Sequence, residues 1–372
     1  MATPHNSLVT GGAGFIGSNF IRYLFGKSTA EGDLFNDADF SGTVVNVDCL
    51  TYAGNLENLA DVEAEFGGKR YFFEKTNICD SKEITRIFEH YNIDTVIHFA
   101  AESHVDRSIL GPEAFVKTNV TGTFTLLEAA RRYWTKDGSM RNDVLFHHVS
   151  TDEVYGSLGE TGYFREDTPY DPRSPYSASK AASDHLVMAY HHTYGLPITL
   201  SNCTNNYGPY QFPEKLLPLM ISNIKEGKNL PVYGKGDNIR DWIYVEDHNR
   251  AVWLIVTKGK RGEKYNIGGE NEWQNIKLLH KLIELTAQET GKSVEEIEKT
   301  ITYVKDRPGH DKRYAIDCTK IKNELGWQRK MTFEEGLKET VKWYLKNTSW
   351  IENILSGEYK NWIEKNYKEQ GR

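Results

Sequence analysis

Three glycines, Gly11, Gly14 and Gly17, fall between a short apolar run at residues 7–10 and a stretch of helical period at residues 15–25. A strand that turns through glycine straight into a helix leaves few folds open, because it fixes the helix N-terminus at the strand's C-terminal edge. The same alternation continues. Residues 43–48, 70–75, 95–100, 144–151 and 197–201 read as strands, and residues 82–90, 112–134 and 176–194 as helices. The strand runs are short and almost continuously apolar, as expected when both sheet faces are covered. Alternating strands and helices predict the α/β class, a doubly wound parallel sheet of the Rossmann kind. Residues 30–42, rich in Asp, Asn, Gly and Ser, read as a polar insertion after the first helix.

Beyond Thr204 the pattern changes. Glycine and proline cluster at residues 205–213, helices are expected at 216–226, 246–257, 273–290 and 333–344, and short strands at 230–233 and 264–267. At ~150 residues per domain, 372 residues allow two domains. The expected division is residues 1–204 as a Rossmann domain that also receives part of 244–270. Residues 205–372 would be mainly a smaller, interleaved α/β substrate domain. The charged segment 357–372 reads as a surface helix. Lys plus Arg is 45 and Asp plus Glu 52, a net charge of −7 that argues against nucleic acid or an acidic membrane as partner. No apolar run approaches the ~20 residues of a membrane helix. The polar Met1 to Ser7 stretch leads directly into a strand and reads as no signal peptide. The cysteines, Cys49, Cys79, Cys203 and Cys318, form no CxxC, so a cytoplasmic chain without disulfides or a zinc site is expected.

The glycine turn has a chemical reading. Gly11 allows the tight turn, Gly14 lets a pyrophosphate approach the backbone, and Gly17 lets helix pack on strand. The free N–H groups and partial positive charge of the following helix then face the phosphates. Asp48, at the end of the second strand, is placed to accept hydrogen bonds from a ribose 2′-hydroxyl and to repel a 2′-phosphate, which favours NAD+ over NADP+. Its distance from the glycines exceeds the usual ~20 residues, and the insertion at 30–42 accounts for the excess.

Tyr176 and Lys180 lie four apart on one predicted helix and so share a face. Tyrosine, with an ordinary pKa near 10, is a poor base at neutral pH, and a neighbouring ammonium and a cationic nicotinamide favour its phenolate. Such a pair removes an alcohol proton while hydride leaves the same carbon. Thr151, Asp152 and Glu153 sit at the C-terminal end of a sheet strand, where doubly wound folds bind ligands. Two carboxyl groups in different environments separate into an acid and a base, the equipment for removing water across two carbons. The pairs His147–His148 and His191–His192 suggest a metal only superficially. In a strand the first pair points to opposite faces, and the second has no carboxylate in register, so no metal site is expected.

These stretches carry a resemblance. The Gly11 to Gly17 turn, Ala-Ala-Glu-Ser-His-Val-Asp-Arg-Ser at 100–108, Ser-Thr-Asp-Glu-Val-Tyr-Gly at 150–156 and Ser-Pro-Tyr-Ser-Ala-Ser-Lys at 174–180 belong to it. So do Asn-Asn-Tyr-Gly-Pro-Tyr at 205–210, Arg-Asp-Trp at 240–242 and Asp-Arg-Pro-Gly-His at 306–310. Together they resemble the dTDP-glucose 4,6-dehydratases, extended short-chain dehydrogenase/reductases, over about residues 8–344. The Thr-Asp-Glu triplet is the specific part, since related epimerases lack the acid pair.

The resemblance implies a homodimeric hydro-lyase with tightly held NAD+ and dTDP-glucose as substrate. Tyr176 would take the sugar 4-hydroxyl proton, Glu153 the C5 proton, Asp152 would protonate the departing 6-hydroxyl, and Thr151 would bond the sugar near O4. Phe15, Ile16, Asp48, Leu50, Thr51, Ile78, Ala100, Ala101, Ser103, Thr118 and Asn206 would touch NAD+. Ser103, Asn205, Lys215, Leu216, Pro231, Tyr233, Arg240, Asn275, Arg307 and His310 would hold the nucleotide sugar, with Arg240 and Arg307 as diphosphate clamps. Asn77 stands before Ile78 where the family usually carries Asp. Its amide keeps an acceptor and adds a donor, so adenine binding is expected to survive. The nucleoside base comes from the resemblance and not from spacing. A nucleotide-sugar 4-epimerase or decarboxylase on the same fold would keep Tyr176 and Lys180 but has no use for both acids. A binding protein on a dead scaffold would not fill every catalytic position.

Overall fold

The computed structural model describes residues 4–30, 32, 34–306 and 310–356. Besides a two-residue pairing of Thr135–Lys136 with Ser139–Met140, its strands, in chain order, are β1 (Asn6–Thr10), β2 (Thr43–Asp48), β3 (Tyr71–Lys75), β4 (Thr95–His98), β5 (Leu145–Thr151) and β6 (Ile198–Cys203). They continue with β7 (Asn205–Tyr207), β8 (Leu230–Tyr233), β9 (Ile239–Tyr244), β10 (Lys264–Ile267), β11 (Glu272–Gln274) and β12 (Ile301–Val304). Seven of them make one parallel sheet in the order β10-β6-β5-β4-β1-β2-β3. The predicted doubly wound Rossmann sheet is therefore present. Strand order reverses between β1 and β4, and a crevice opens there beyond the C-terminal strand ends.

Alternation along each strand supplies both faces of this sheet. Leu8, Val45, Val96 and Phe146 pack with Leu126, Leu127, Trp134 and Val187 on one side. Val9, Val44 and Ile97 pack with Phe20, Ile21, Val252 and Ile255 on the other. Adjacent residues thus serve opposite layers, the period-two rule of a pleated strand. The polar insertion does not float free. Phe35 and Phe40 are buried, and Phe40 meets Trp253 edge-on with ring centroids 5.6 Å apart.

Three features differ from the sequence expectation. The predicted helix 112–134 is α-helical at Pro112–Phe115, widens to a π-helix over Val116–Gly122 and resumes as an α-helix at Thr123–Trp134. The wide segment holds Asn119 inward, where its amide accepts from Glu102 N at 2.9 Å and donates to Ser179 Oγ at 2.8 Å. Such bulges mark sites where a side chain is re-aimed. Trp273 lies in β11, and the helix begins only at Asn275. The short strands β7, β9 and β11 form a three-stranded sheet and β8 pairs with β12, contacts too short for periodicity to reveal. The predicted surface helix 357–372 and the clamp Arg307 lie outside the described residues.

Candidate active site

The glycine turn is built as its spacing requires. Gly11 has φ +70°, and a Cβ there would stand 2.7 Å from the Ala100 backbone. A Cβ on Gly17 would collide with the Gly11 carbonyl, so helix and turn touch only because both are glycine. The first helix, Phe15–Leu24, starts without a side-chain cap, which leaves its N-terminal amides to the crevice. Asp48 closes the turn from the side. Its Oδ2 accepts from Ala13 N at 3.1 Å and its Oδ1 from Leu50 N at 2.8 Å. Burial pushes this carboxyl above the usual range, and the two amides work against that rise.

A cavity of about 1550 Å³ runs from this turn along the strand ends to the second sheet. That exceeds the ~300–1,000 Å³ of a pocket for one drug-sized ligand. It collects the predicted cofactor residues Gly11, Gly14, Phe15, Ile16, Gly17, Asp48 and Thr51 at one end. Asn77, Ile78, Ala100, Ala101, Ser103, Thr118 and Asn206 line it as well. Among described predicted residues, Leu50 and Asp152 do not line it: Leu50 serves by its backbone, and Asp152 lies behind the wall. Asn77 Oδ1 is engaged by Cys79 N at 2.9 Å, which fixes the orientation of its amide.

β5 ends in the catalytic candidates. Thr151 caps the turn Asp152–Tyr155 by accepting from Glu153 N at 3.3 Å. That turn sends the two acids into different surroundings. Glu153 lines the cavity, whereas Asp152 is 1% exposed, with Oδ1 3.3 Å from Thr151 Oγ1 and Oδ2 without a hydrogen-bond partner. Burial first, then the neighbouring Glu153 charge, raises the Asp152 carboxyl well above the ordinary range, which favours its protonated form. Tyr176 and Lys180 lie on the helix Pro175–Tyr194, begun by a Ser174–Ser177 capping box worth about 1 kcal/mol. Burial, followed by the Glu153 charge, pushes the Tyr176 phenol upward, and the Thr151 hydroxyl works against that rise.

Lys180 is buried behind the tyrosine, donating to Val149 O at 2.9 Å and standing 3.4 Å from His148 Nε2. Burial lowers its ammonium, and Asp184 raises it. Asp184 was not singled out from the sequence, although it continues the Tyr176, Lys180 stripe by four residues. Its carboxyl meets His148 at 3.2 Å and accepts from Ser150 and Tyr170, each at 2.9 Å. His147 and His148 are buried in the core: His147 is held by Thr199 at 2.9 Å and Ser201 at 3.2 Å, and burial keeps both His147 and His148 neutral.

The far end of the cavity carries Asn205, Lys215, Leu216, Pro231, Tyr233, Arg240, Asn275 and His310. Arg240 is 6% exposed, with Nη1 2.7 Å from Ile239 O, Nη2 2.9 Å from Asp311 O and the guanidinium over the Tyr314 ring. His310 pairs with Asp306 at 2.7 Å. Asn206 Oδ1 and Asn275 Oδ1 are buried without protein partners on the cavity wall, acceptors that a bound ligand would satisfy.

A family model described as GDP-mannose 4,6 dehydratase matches residues 8–340. The dTDP-glucose 4,6-dehydratase of Salmonella typhimurium is 56% identical over 371 residues, covering 97% of this chain and 98% of that one. That of Neisseria meningitidis is 55% identical over 358 residues, 95% and 97% of the two chains. Among solved structures, a dTDP-glucose 4,6-dehydratase of Streptomyces venezuelae with NAD and TYD bound superposes with a TM-score of 0.83. It is 43% identical and covers 94% of this chain and 99% of that one. A UDP-glucose 4-epimerase of Thermotoga maritima reaches 0.77 at 30% identity, covering 92% and 99%. Fold is shared with both kinds of enzyme, but the identity and the Thr-Asp-Glu triplet point one way. The chain belongs to the dTDP-glucose 4,6-dehydratase family.

Proposed function

We propose that this chain is a hydro-lyase that converts dTDP-glucose to its 4-keto-6-deoxy derivative with bound NAD+. The observation that carries the reading is the difference in placement between adjacent acids: Glu153 lines the cavity, and Asp152 is buried, which raises its carboxyl well above the ordinary range. The cavity fits the cofactor through the glycine turn, the anchored Asp48 and the unpartnered Asn206 Oδ1. Bound NAD+ supplies a hydride acceptor, a hydride donor and a positively charged ring.

The chain's residues handle the protons. Tyr176 takes the 4-hydroxyl proton while Thr151 bonds near O4. The resulting ketone acidifies C5–H, which Glu153 removes. Asp152 protonates the 6-hydroxyl, which leaves as water. Each such group contributes about 10²–10⁴-fold. Lys180 acts as the positive charge behind the phenol, held by Val149 O and by His148, which in turn meets Asp184. Lys215, Leu216, Pro231, Tyr233, Arg240, Asn275, Arg307 and His310, with Ser103 and Asn205, hold the nucleotide sugar in this reading. Residues 1–204 with part of 244–270 form its cofactor domain, and residues 205–372 mainly its substrate domain. Incubation with dTDP-glucose tests it: NMR should show a 4-keto-6-deoxy product, and a 4-epimer or decarboxylated sugar would overturn it.

Asp48→Ala should weaken NAD+ binding and relax discrimination against NADP+, measured by titration of each into cofactor-stripped protein. Wild-type protein that retains NADP+ in preference would contradict the role of Asp48.

The reading includes a homodimer. Val116 and Phe124, in the helical run 112–134, are 54% and 46% exposed, and Ala189 and Tyr194 face outward on the helix Pro175–Tyr194 that carries the catalytic tyrosine. Apolar groups left together on two long helices suit pairing across a two-fold axis. Light scattering at micromolar concentration should give twice the 42.6 kDa chain mass, and a monomer would count against it. All four cysteines are free, in keeping with a reducing compartment such as the cytoplasm. Among the described residues no helix is long and apolar enough to cross a membrane.

A further inference from the structure

The glycine turn follows β1, Asp48 ends β2 and Asn77 follows β3, and these three strands lie side by side in the sheet. Asp48 is paired with Lys75, and Thr76 N donates to Asp48 O at 3.1 Å. Asn77 therefore stands one strand further out than the ribose acid. A dinucleotide laid with its pyrophosphate on the turn and its ribose against Asp48 carries its base on toward β3. Asn77 and Ile78 line the cavity there.

Asn77 is held in one orientation. Its Oδ1 accepts from Cys79 N at 2.9 Å, and its main-chain carbonyl accepts from Asp80 N at 2.8 Å. If the amide turned over, its N–H groups would face the Cys79 N–H, donor against donor. The turn itself is pinned from behind. The Cys79 thiol donates to Lys117 O at 3.3 Å, and a Cβ on Gly122 would collide with Ile78, so the π-helical segment rests directly on this strip. The acceptor that the sequence leads one to expect of Asn77 is thus spent within its own turn. The end of the side chain left for a ligand is Nδ2, with two N–H groups.

We infer that Asn77 removes this chain's preference for the 6-amino purine of NAD+, so that a dinucleotide with a 6-oxo purine binds at least as well. This rests on the NAD+ reading of the cavity. An asparagine with both ends free reads adenine with both, oxygen to the 6-amino group and nitrogen to N7. Here the nitrogen meets the base without the oxygen. Two N–H groups suit two adjacent acceptors, the O6 and N7 edge that guanine shows and hypoxanthine shares. Against adenine, one of them faces the 6-amino group, donor against donor. An aspartate at this position would accept from Cys79 N with one oxygen and offer the other to the 6-amino group. The exchange of Asp for Asn at residue 77 therefore reverses the sense of the contact.

Competition for cofactor-stripped protein between NAD+ and its hypoxanthine analogue, in which oxygen replaces the 6-amino group, tests this. The bound nucleotides are released and resolved by chromatography, so the readout is occupancy and needs no turnover. Wild-type protein should take up the hypoxanthine analogue at least as readily as NAD+. Asn77→Asp should shift the ratio of bound nucleotides toward NAD+ by about tenfold, the size of one net hydrogen bond. The aspartate has the same shape and keeps the contact with Cys79 N, so the turn survives the substitution. Its added charge acts on both nucleotides alike, and the ratio isolates the base. A wild type that prefers NAD+ would overturn the inference, because the second lone pair of Oδ1 would then be reaching the 6-amino group. A ratio that Asn77→Asp leaves unchanged would overturn it as well. Protein that takes up neither nucleotide would instead overturn the NAD+ reading of the cavity.

Discussion

Tyr176→Phe should lose oxidation and elimination together, each by about 10²-fold or more, because nothing downstream can start without the ketone. The substitution removes one oxygen and keeps the ring, which meets Phe115 edge-on with centroids 6.3 Å apart. Thr151 keeps Glu153 N and Asp152 as partners, so its own hydrogen bonds stay in place. The chemistry is another matter. In the protein alone, burial and the Glu153 charge hold the phenol above its ordinary range. Bound NAD+ and the Lys180 ammonium must work against that rise for a phenolate to form at neutral pH. Removing the phenol deletes the group on which those charges act. Incubation in deuterated solvent provides the check: the variant should form no ketone, exchange no C5 hydrogen and release no product. Exchange at C5 at the wild-type rate would show that elimination does not wait for Tyr176.

The cofactor end of the site was legible because its chemistry is local. A turn that needs glycine at Gly11 and Gly17, followed by an acid at the end of the next strand, leaves a mark in the sequence itself. The sheet was legible for the same reason, since strands covered on both faces become apolar runs. What escaped was held by long-range contact. β7, β9 and β11 are three to six residues long and exist only because distant segments pair. The π-helical stretch at Val116–Gly122 depends on Asn119 bridging Glu102 and Ser179, partners 17 and 60 residues away. The acid pair was visible as Asp152–Glu153, but two neighbouring letters cannot show that the turn after β5 buries one carboxyl and exposes the other to the cavity. Asp184 could have been found, because it extends the Tyr176, Lys180 face by one more turn. A carboxylate on a buried helix face beside a lysine calls for an electrostatic reason.

That burial difference makes opposite predictions for the two acids. Asp152→Asn keeps the shape of the side chain but removes the proton that the 6-hydroxyl needs in order to leave. Burial favours the protonated form of Asp152, the form whose shape the amide keeps. The variant should still oxidise C4, and a 4-ketone that retains its 6-hydroxyl should build up, with near-ultraviolet absorbance from the reduced cofactor that the wild type shows only fleetingly. Glu153 remains on the cavity wall, so C5 hydrogen should still exchange with deuterated solvent. Glu153→Gln removes the base instead. It should stop at the same ketone with C5 exchange lost, and turnover in each variant should fall by about 10²-fold or more. The Glu153 charge also raises both Asp152 and Tyr176, so its neutralisation relaxes both groups toward their ordinary ranges. Oxidation by Glu153→Gln should consequently hold up better at low pH than oxidation by Asp152→Asn, because its phenol ionises more readily. Wild-type turnover in Asp152→Asn would remove that acid from the reaction, and undiminished C5 exchange in Glu153→Gln would move the base to another residue.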